Sequence, residues 1–153
     1  MYPARGVKSL VDGKMGSEYH DDAEWMGWWY EDKAFEATID LGKIVAIKEL
    51  GVHTLASTES WIFHPPKVEF ELSDDGKTFK KVATIKPARD ELENEEPNTK
   101  ILKASNLEAQ ARFIRVRVER YGELPQWHTA HGGADGYDGQ AWLFIDEILV
   151  NPK

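Results

Sequence analysis

At 153 residues the chain has the length of one ordinary domain, able to bury roughly two-thirds of the surface that its unfolded form exposes. A formal net charge of -8 argues against nucleic-acid and anionic-membrane binding, which depend on basic patches, and the absence of cysteine excludes disulfides and thiolate metal sites. The composition, 41% hydrophobic and 11% aromatic, fits a globular domain, but six Trp are more than a core of this size requires, so some are expected at the surface.

The N-terminus, Met1 to Gly6, lacks the apolar stretch of a signal peptide, and no run is long enough for a transmembrane helix. Residues 7–20 carry Asp12-Gly13 and Gly16-Ser17, turn chemistry that predicts a tight, oxygen-rich loop. Residues 21–35 hold Trp25, Trp28, Trp29, Tyr30 and Phe35 without a regular period and read as a long packed loop. Phe35 to Leu41 alternates and predicts a half-buried strand that stops at Gly42. Ile44 to Ala56 continues as strand, with Gly51 as an expected bulge. After a loop from Ser57 to Pro66 that contains Trp61, Phe63 and His64, Lys67–Ser73 and Phe79–Ile85 form the clearest hairpin, joined by Asp74-Asp75-Gly76-Lys77.

The acidic segment from Asp90 to Pro97 reads as a solvated loop or one helical turn. Strands are expected at Thr99–Ala104 and at Arg112–Glu119, followed by a Gly-rich loop over 121–140. The last strand, Ala141–Val150, is an apolar run that carries two adjacent acids, Asp146 and Glu147. Alternation should send them to opposite faces, so one points inward and needs a cation or several donors. Seven or eight strands with almost no helix predict an all-β, antiparallel β-sandwich. Loops of about 15–20 residues are uncommon in a compact domain unless they have a task.

Six phrases in register, Leu10-Val11-Asp12-Gly13, Trp25-Met26-Gly27-Trp28, Ile39-Asp40-Leu41-Gly42, Leu72 to Phe79, Arg112 to Val116 and Asp146-Glu147-Ile148, resemble the coagulation factor 5/8 type C, or discoidin-like, domain. The resemblance covers residues 7–150 and implies the galactose-binding-like jelly-roll sandwich. Leu124-Pro125-Gln126-Trp127-His128, Gly132-Gly133 and Ala141 to Ile148 resemble, more narrowly, the C-terminal module of bacterial chitobiase-like β-N-acetylhexosaminidases. On that likeness residues 1–153 are one module, excised from a larger glycoside hydrolase that is secreted, periplasmic or on the cell surface.

The resemblance also implies a structural calcium ion between the first loop and the last strand. Carried over by position, its ligands are Asp12, Ser17 and Glu147, with backbone carbonyls near Leu10, Lys14 and Asp146. Lys14 stands where many members of the family have an acid or amide. The alternative without a metal is that Lys14, a nearby Arg or a backbone amide neutralises Glu147.

Relatives of this fold in carbohydrate-binding module family 32 hold sugars with loop aromatics, whose faces stack on the C–H patch of a pyranose while polar groups bond its hydroxyls. The candidates here are Trp61 with His64, Trp127 with His128 and His131, and Tyr137, toward a glycan containing N-acetylhexosamine or galactose. Trp25, Trp28 and Trp142 are expected to pack, His20 and His53 to be structural. A transition-metal site at His128 and His131 with Asp135 and Asp138 is weaker than plain hydrogen bonding. Three functions are weighed: a sugar-binding accessory module, a structural domain that packs on the catalytic domain of the same chain through Trp127, and an enzyme. The last is disfavoured, because the Asp-Glu pair of hexosaminidases belongs to a β/α barrel of about 250 residues.

Overall fold

The structure, a computed structural model, describes every residue except Met1, Arg5, residues 30–33, Asp135, Tyr137 and Lys153, and only the backbone of Tyr2 and Pro3. Its strands are β1 (Tyr2–Pro3), β2 (Met26–Trp28), β3 (Ala34–Ile47), β4 (Leu50–Ala56), β5 (Lys67–Ser73), β6 (Lys80–Ile85), β7 (Asn98–Ala104), β8 (Ala109–Glu119) and β9 (Leu143–Val150). A five-stranded sheet in the order β1-β2-β9-β4-β7 faces a four-stranded sheet in the order β3-β8-β5-β6. Every strand pairing is antiparallel. The one α-helix among the described residues, α1 (Arg89–Leu92), is a single turn in the acidic segment. No helix among the described residues is long and apolar enough to cross a membrane.

Period-2 patterning explains the sandwich. Val68, Phe70 and Leu72 on β5 pair with Val118, Val116 and Ile114 on β8, which places all six on the inner face. The intervening Glu69 and Glu71 lie opposite Arg117 and Arg115 on the outer face, where Arg115 Nε donates to Glu71 at 2.7 Å. The inner residues meet Ile47, Leu50, Val52, Leu143 and Ile145 of the other elements in one core. Each such fully buried side chain contributes about 1.5–3 kcal/mol by leaving water. β9 lies between β2 and β4 and is buried from Leu143 through Ile148, so its near-continuous apolar sequence follows from being covered on both faces.

Three local expectations are corrected. A short strand, β2, lies inside the segment read as loop; its Met-Gly-Trp sequence has no periodic signal, and its pairing with β9 and β1 defines it. β3 does not stop at Gly42 but runs on to Ile47, because Gly42 takes φ +81° and absorbs a register shift between Asp40 and Val45. Gly51 is no bulge: it pairs with Lys103 on one side and Leu149 on the other, and the irregularity of β4 falls at His53/Thr54.

Gly27 is fixed by close approach. A Cβ there would lie 2.6 Å from the ring of Phe144 on the neighbouring strand β9. Gly27→Ala should therefore lower the unfolding free energy by about 1–3 kcal/mol, measured by urea denaturation. An unchanged midpoint would show that β2 does not press on β9.

Candidate functional site

The β9 acids set the frame for the loops above them. His53 pairs with Glu147 and Thr54 with Ile145, so Asp146 is the extra residue of a bulge. Strict alternation is broken there, and both acids are buried instead of one. The Oδ1 of Asp146 accepts from His53 Nδ1 at 2.7 Å, and its Oδ2 accepts from the Gly16 amide. Glu147 Oε1 accepts from the Gly13 amide at 3.1 Å. His53 in turn stacks on Trp25, with ring centroids 5.2 Å apart, and the Trp25 indole donates to the Ser17 carbonyl at 2.8 Å. Two neighbouring carboxylates thus clamp one loop, residues 12–17, against the sheet.

Glu147 is left in deficit. Its Oε2 is buried with no hydrogen-bond partner among the described residues. Burial, and next the negative charges of Asp12 and Asp146, push its carboxyl up to about 7 against the opposing donation from Gly13. An orphaned buried carboxylate oxygen beside a second acid is the arrangement that a hard cation satisfies, with Glu147 and Asp12 as anionic ligands and carbonyl oxygens from the flanking backbone.

The residues fit calcium, though with fewer side chains than expected. The hydroxyl and amide of Ser17 both donate to Asp22, at 3.0 Å each, so Ser17 does not turn its side chain to Glu147. The Asp146 carboxylate is committed to His53 and Gly16, leaving only its carbonyl. Leu10, buried at the end of the 3-10 turn Val7–Val11, and Lys14, whose amide donates to Asp12 Oδ1 at 3.0 Å, flank Asp12 and can contribute only main-chain oxygen. No three His, Asp or Glu side chains converge on a metal position among the described residues.

A second feature lies at the start of β9. Residues Trp61 and Trp142 are tied main chain to main chain: the Trp142 amide donates to the Trp61 carbonyl at 2.7 Å, and the Phe63 amide donates back to Trp142 at 3.3 Å. Trp61 caps the turn Thr58–Ser60 at φ +61°, a conformation rare for a bulky residue, of the kind that gathers at functional sites. Trp142 stacks on the exposed Trp29, with centroids 5.3 Å apart and planes 12° from parallel. These three indoles line a cleft of about 280 Å³ whose floor includes Ile62 and Phe144. Its polar lining consists of His20, Ser60, Asp138 and Gln140.

Of the described residues expected to hold a ligand, only Trp61 lines this cleft. His64 is fully buried, hydrogen-bonded to Thr54 Oγ1 at 2.8 Å and Asn98 Oδ1 at 2.7 Å, so it joins a loop to the sheet and faces no ligand. His128 is buried too; its Nε2 donates to the Thr58 carbonyl at 2.6 Å and its Nδ1 accepts from the Ala130 amide at 3.0 Å. His131 Nδ1 bonds the Leu124 carbonyl at 2.7 Å and holds its own loop. Trp127 is 43% exposed and shares a separate pocket with His128, beside Thr58, Glu59 and Glu95. Tyr137 lies outside the described residues, as does Asp135.

The sequence reading missed Trp29, Trp142, His20, Asp138 and Gln140. Trp142 packs as expected, against the cluster of Trp25, Leu55, Ile62 and Phe144, and in addition it lines the cleft beside its stacking partner Trp29.

The profile of the family described as F5/8 type C domain matches residues 2–143. The chain belongs to the F5/8 type C domain family. Solved structures similar to this F5/8 type C domain include the Clostridium perfringens module CpGH89CBM32-6, at 20% identity and TM-score 0.51 over 95% of this chain and 84% of that one. The C-terminal domain of a chitobiase from Bacteroides fragilis is similar at 17% identity and TM-score 0.54, over 96% and 80% of the two chains. The C. perfringens module CpGH89CBM32-5, solved in complex with GalNAc-beta-1,3-galactose, is similar at 16% identity and TM-score 0.55, over 94% and 81%. At these identities the likeness concerns the fold. No curated protein matches the sequence.

Burial drives the His64 imidazole down to about 4 from 6.5. Between those values the unfolded chain binds a proton that the native one does not, so the stability held above pH 6.5 is lost as pH falls toward 4. Urea unfolding across this range should show a loss on the order of 3 kcal/mol that His64→Gln removes. Parallel profiles for the two proteins would contradict this placement of His64.

Proposed function

We propose that this domain is a non-catalytic carbohydrate-binding accessory module of a glycosidase, and that the cleft between Trp61, Trp142 and Trp29 is its binding site. The observation that carries the reading is the cleft itself. Three indoles and an apolar floor surround about 280 Å³, with a hydroxyl, an amide, a carboxylate and an imidazole at its edge. Aromatic faces cover the C–H patch of a pyranose, and the polar rim bonds its hydroxyls. The volume suits one terminal sugar unit, such as an N-acetylhexosamine or galactose residue. Sugar complexes and a chitobiase origin among the structural relatives agree with this reading.

The adjacent acids do not argue for hydrolysis. A glycosidase needs two carboxyl groups flanking a bound glycosidic bond, roughly 5–9.5 Å apart. Here Asp146 and Glu147 lie side by side beneath a loop and accept from its amides. The exposed Trp127 outside the cleft favours one additional reading, a contact with the catalytic domain of the same chain or another protein.

We further propose that calcium binds at Glu147 and Asp12 and holds the first loop. When bound, the ion supplies charge neutralisation for the buried Glu147 oxygen. The carboxylates and main-chain oxygens of this chain do the rest, fixing residues 12–17 over β9.

Two outcomes test these readings. Trp61→Ala and Trp142→Ala should each weaken glycan binding, scored by isothermal titration, by tenfold or more, about 1.4 kcal/mol or above, whereas Trp127→Ala should not. Loss of binding only in the Trp127 variant would move the site to the other pocket. Calcium should raise the melting temperature and EDTA lower it, while Glu147→Gln should abolish the response and melt higher than the parent protein in EDTA. A melting temperature indifferent to both additions would remove the metal.

A further inference from the structure

Charge is distributed one-sidedly around the cleft. Among its described lining residues Asp138 is the one carboxylate, and there is no Lys or Arg. Asp138 is exposed, and its Oδ1 accepts from the Gln140 amide at 2.9 Å, a local turn that fixes the carboxylate at the rim. Across the Thr58–Ser60 turn, the pocket of Trp127 carries Glu59 and Glu95 and again no cation among its described lining. The whole chain adds a net charge of -8.

Three kinds of sugar end meet this surface differently. A uronate carboxylate would be repelled by Asp138 with no Lys or Arg among the described lining residues to offset it, His20 being the one described lining group able to take a positive charge. A neutral or N-acetylated sugar gives only hydroxyl and amide hydrogen bonds. A protonated amino group gains a charge-assisted bond to the carboxylate and a favourable place against the indole faces.

We propose that the cleft selects its ligand by charge, favouring a sugar end with a free, protonated amino group over its N-acetylated counterpart and rejecting uronates, with Asp138 as the specificity-determining residue. The proposal rests on the carbohydrate reading above. It adds a ligand class that the fold alone does not specify.

Isothermal titration at neutral pH with the methyl glycosides of glucosamine, N-acetylglucosamine and glucuronic acid, and with their galacto-configured equivalents, tests it. The amino sugar should bind about fivefold tighter than the N-acetylated sugar, and the uronate about fivefold weaker or worse. Asp138→Asn should compress the ratio between amino sugar and uronate to within about twofold, Asp138→Glu should keep it, and raised salt should shrink it. A uronate that binds as tightly as the amino sugar, or an order that survives Asp138→Asn, overturns the charge proposal while leaving the carbohydrate reading standing. If no sugar of either series binds the folded protein, the carbohydrate reading fails and the charge proposal falls with it.

Discussion

The clamp between the β9 acids and the first loop is the constraint on which the upper end of the molecule depends. Asp146 and Glu147 can both engage residues 13–16 only because β9 bulges, and the bulge is opposed by His53, whose ring completes the Asp146 interaction. A buried carboxylate with a donor on each oxygen is satisfied; one with an oxygen left unpartnered is not. That difference separates the neighbours: Asp146 is an internal anchor, whereas Glu147 retains a buried oxygen with no hydrogen-bond partner among the described residues. The same loop continues to His20 at the cleft, so anchoring it also places one wall of the proposed binding site.

Much of the fold was legible from period and turn chemistry. The Lys67–Ser73 strand, the Asp75 turn that follows it and the Arg-rich β8 carry clear alternation, and each occurs where expected. β2 was illegible because three residues cannot show a period; it exists through pairing across about 115 residues of chain, which no local pattern records. The bulge at Asp146 was invisible for a related reason. Ladder register is a property of two strands, and alternation read along one of them predicts opposite faces for neighbours that end up clamping the same loop.

The site was half legible. The excess of Trp pointed to indoles at the surface, where Trp29 and Trp127 are exposed, and the half-buried Trp61 lines the cleft. The expected histidines are bonded within the protein, because a long loop has its own polar backbone to satisfy. His64, His128 and His131 bond Thr54, Asn98 and main-chain groups of the loops themselves. They build the platform. The polar lining of the cleft comes instead from His20, Ser60, Asp138 and Gln140, drawn together from three loops by contacts that linear spacing does not encode.

Fold, clamp and cleft converge on one claim, that this F5/8 type C domain holds a sugar between Trp29, Trp61 and Trp142. The six indole N–H signals of the isotope-labelled protein test it most directly, followed by NMR during titration with an amino sugar or N-acetylhexosamine. The account predicts saturable shifts for the indoles of Trp29, Trp61 and Trp142 and none for the buried Trp25. Shifts confined to Trp127, or spread to Trp25 with no effect on the cleft indoles, would contradict it.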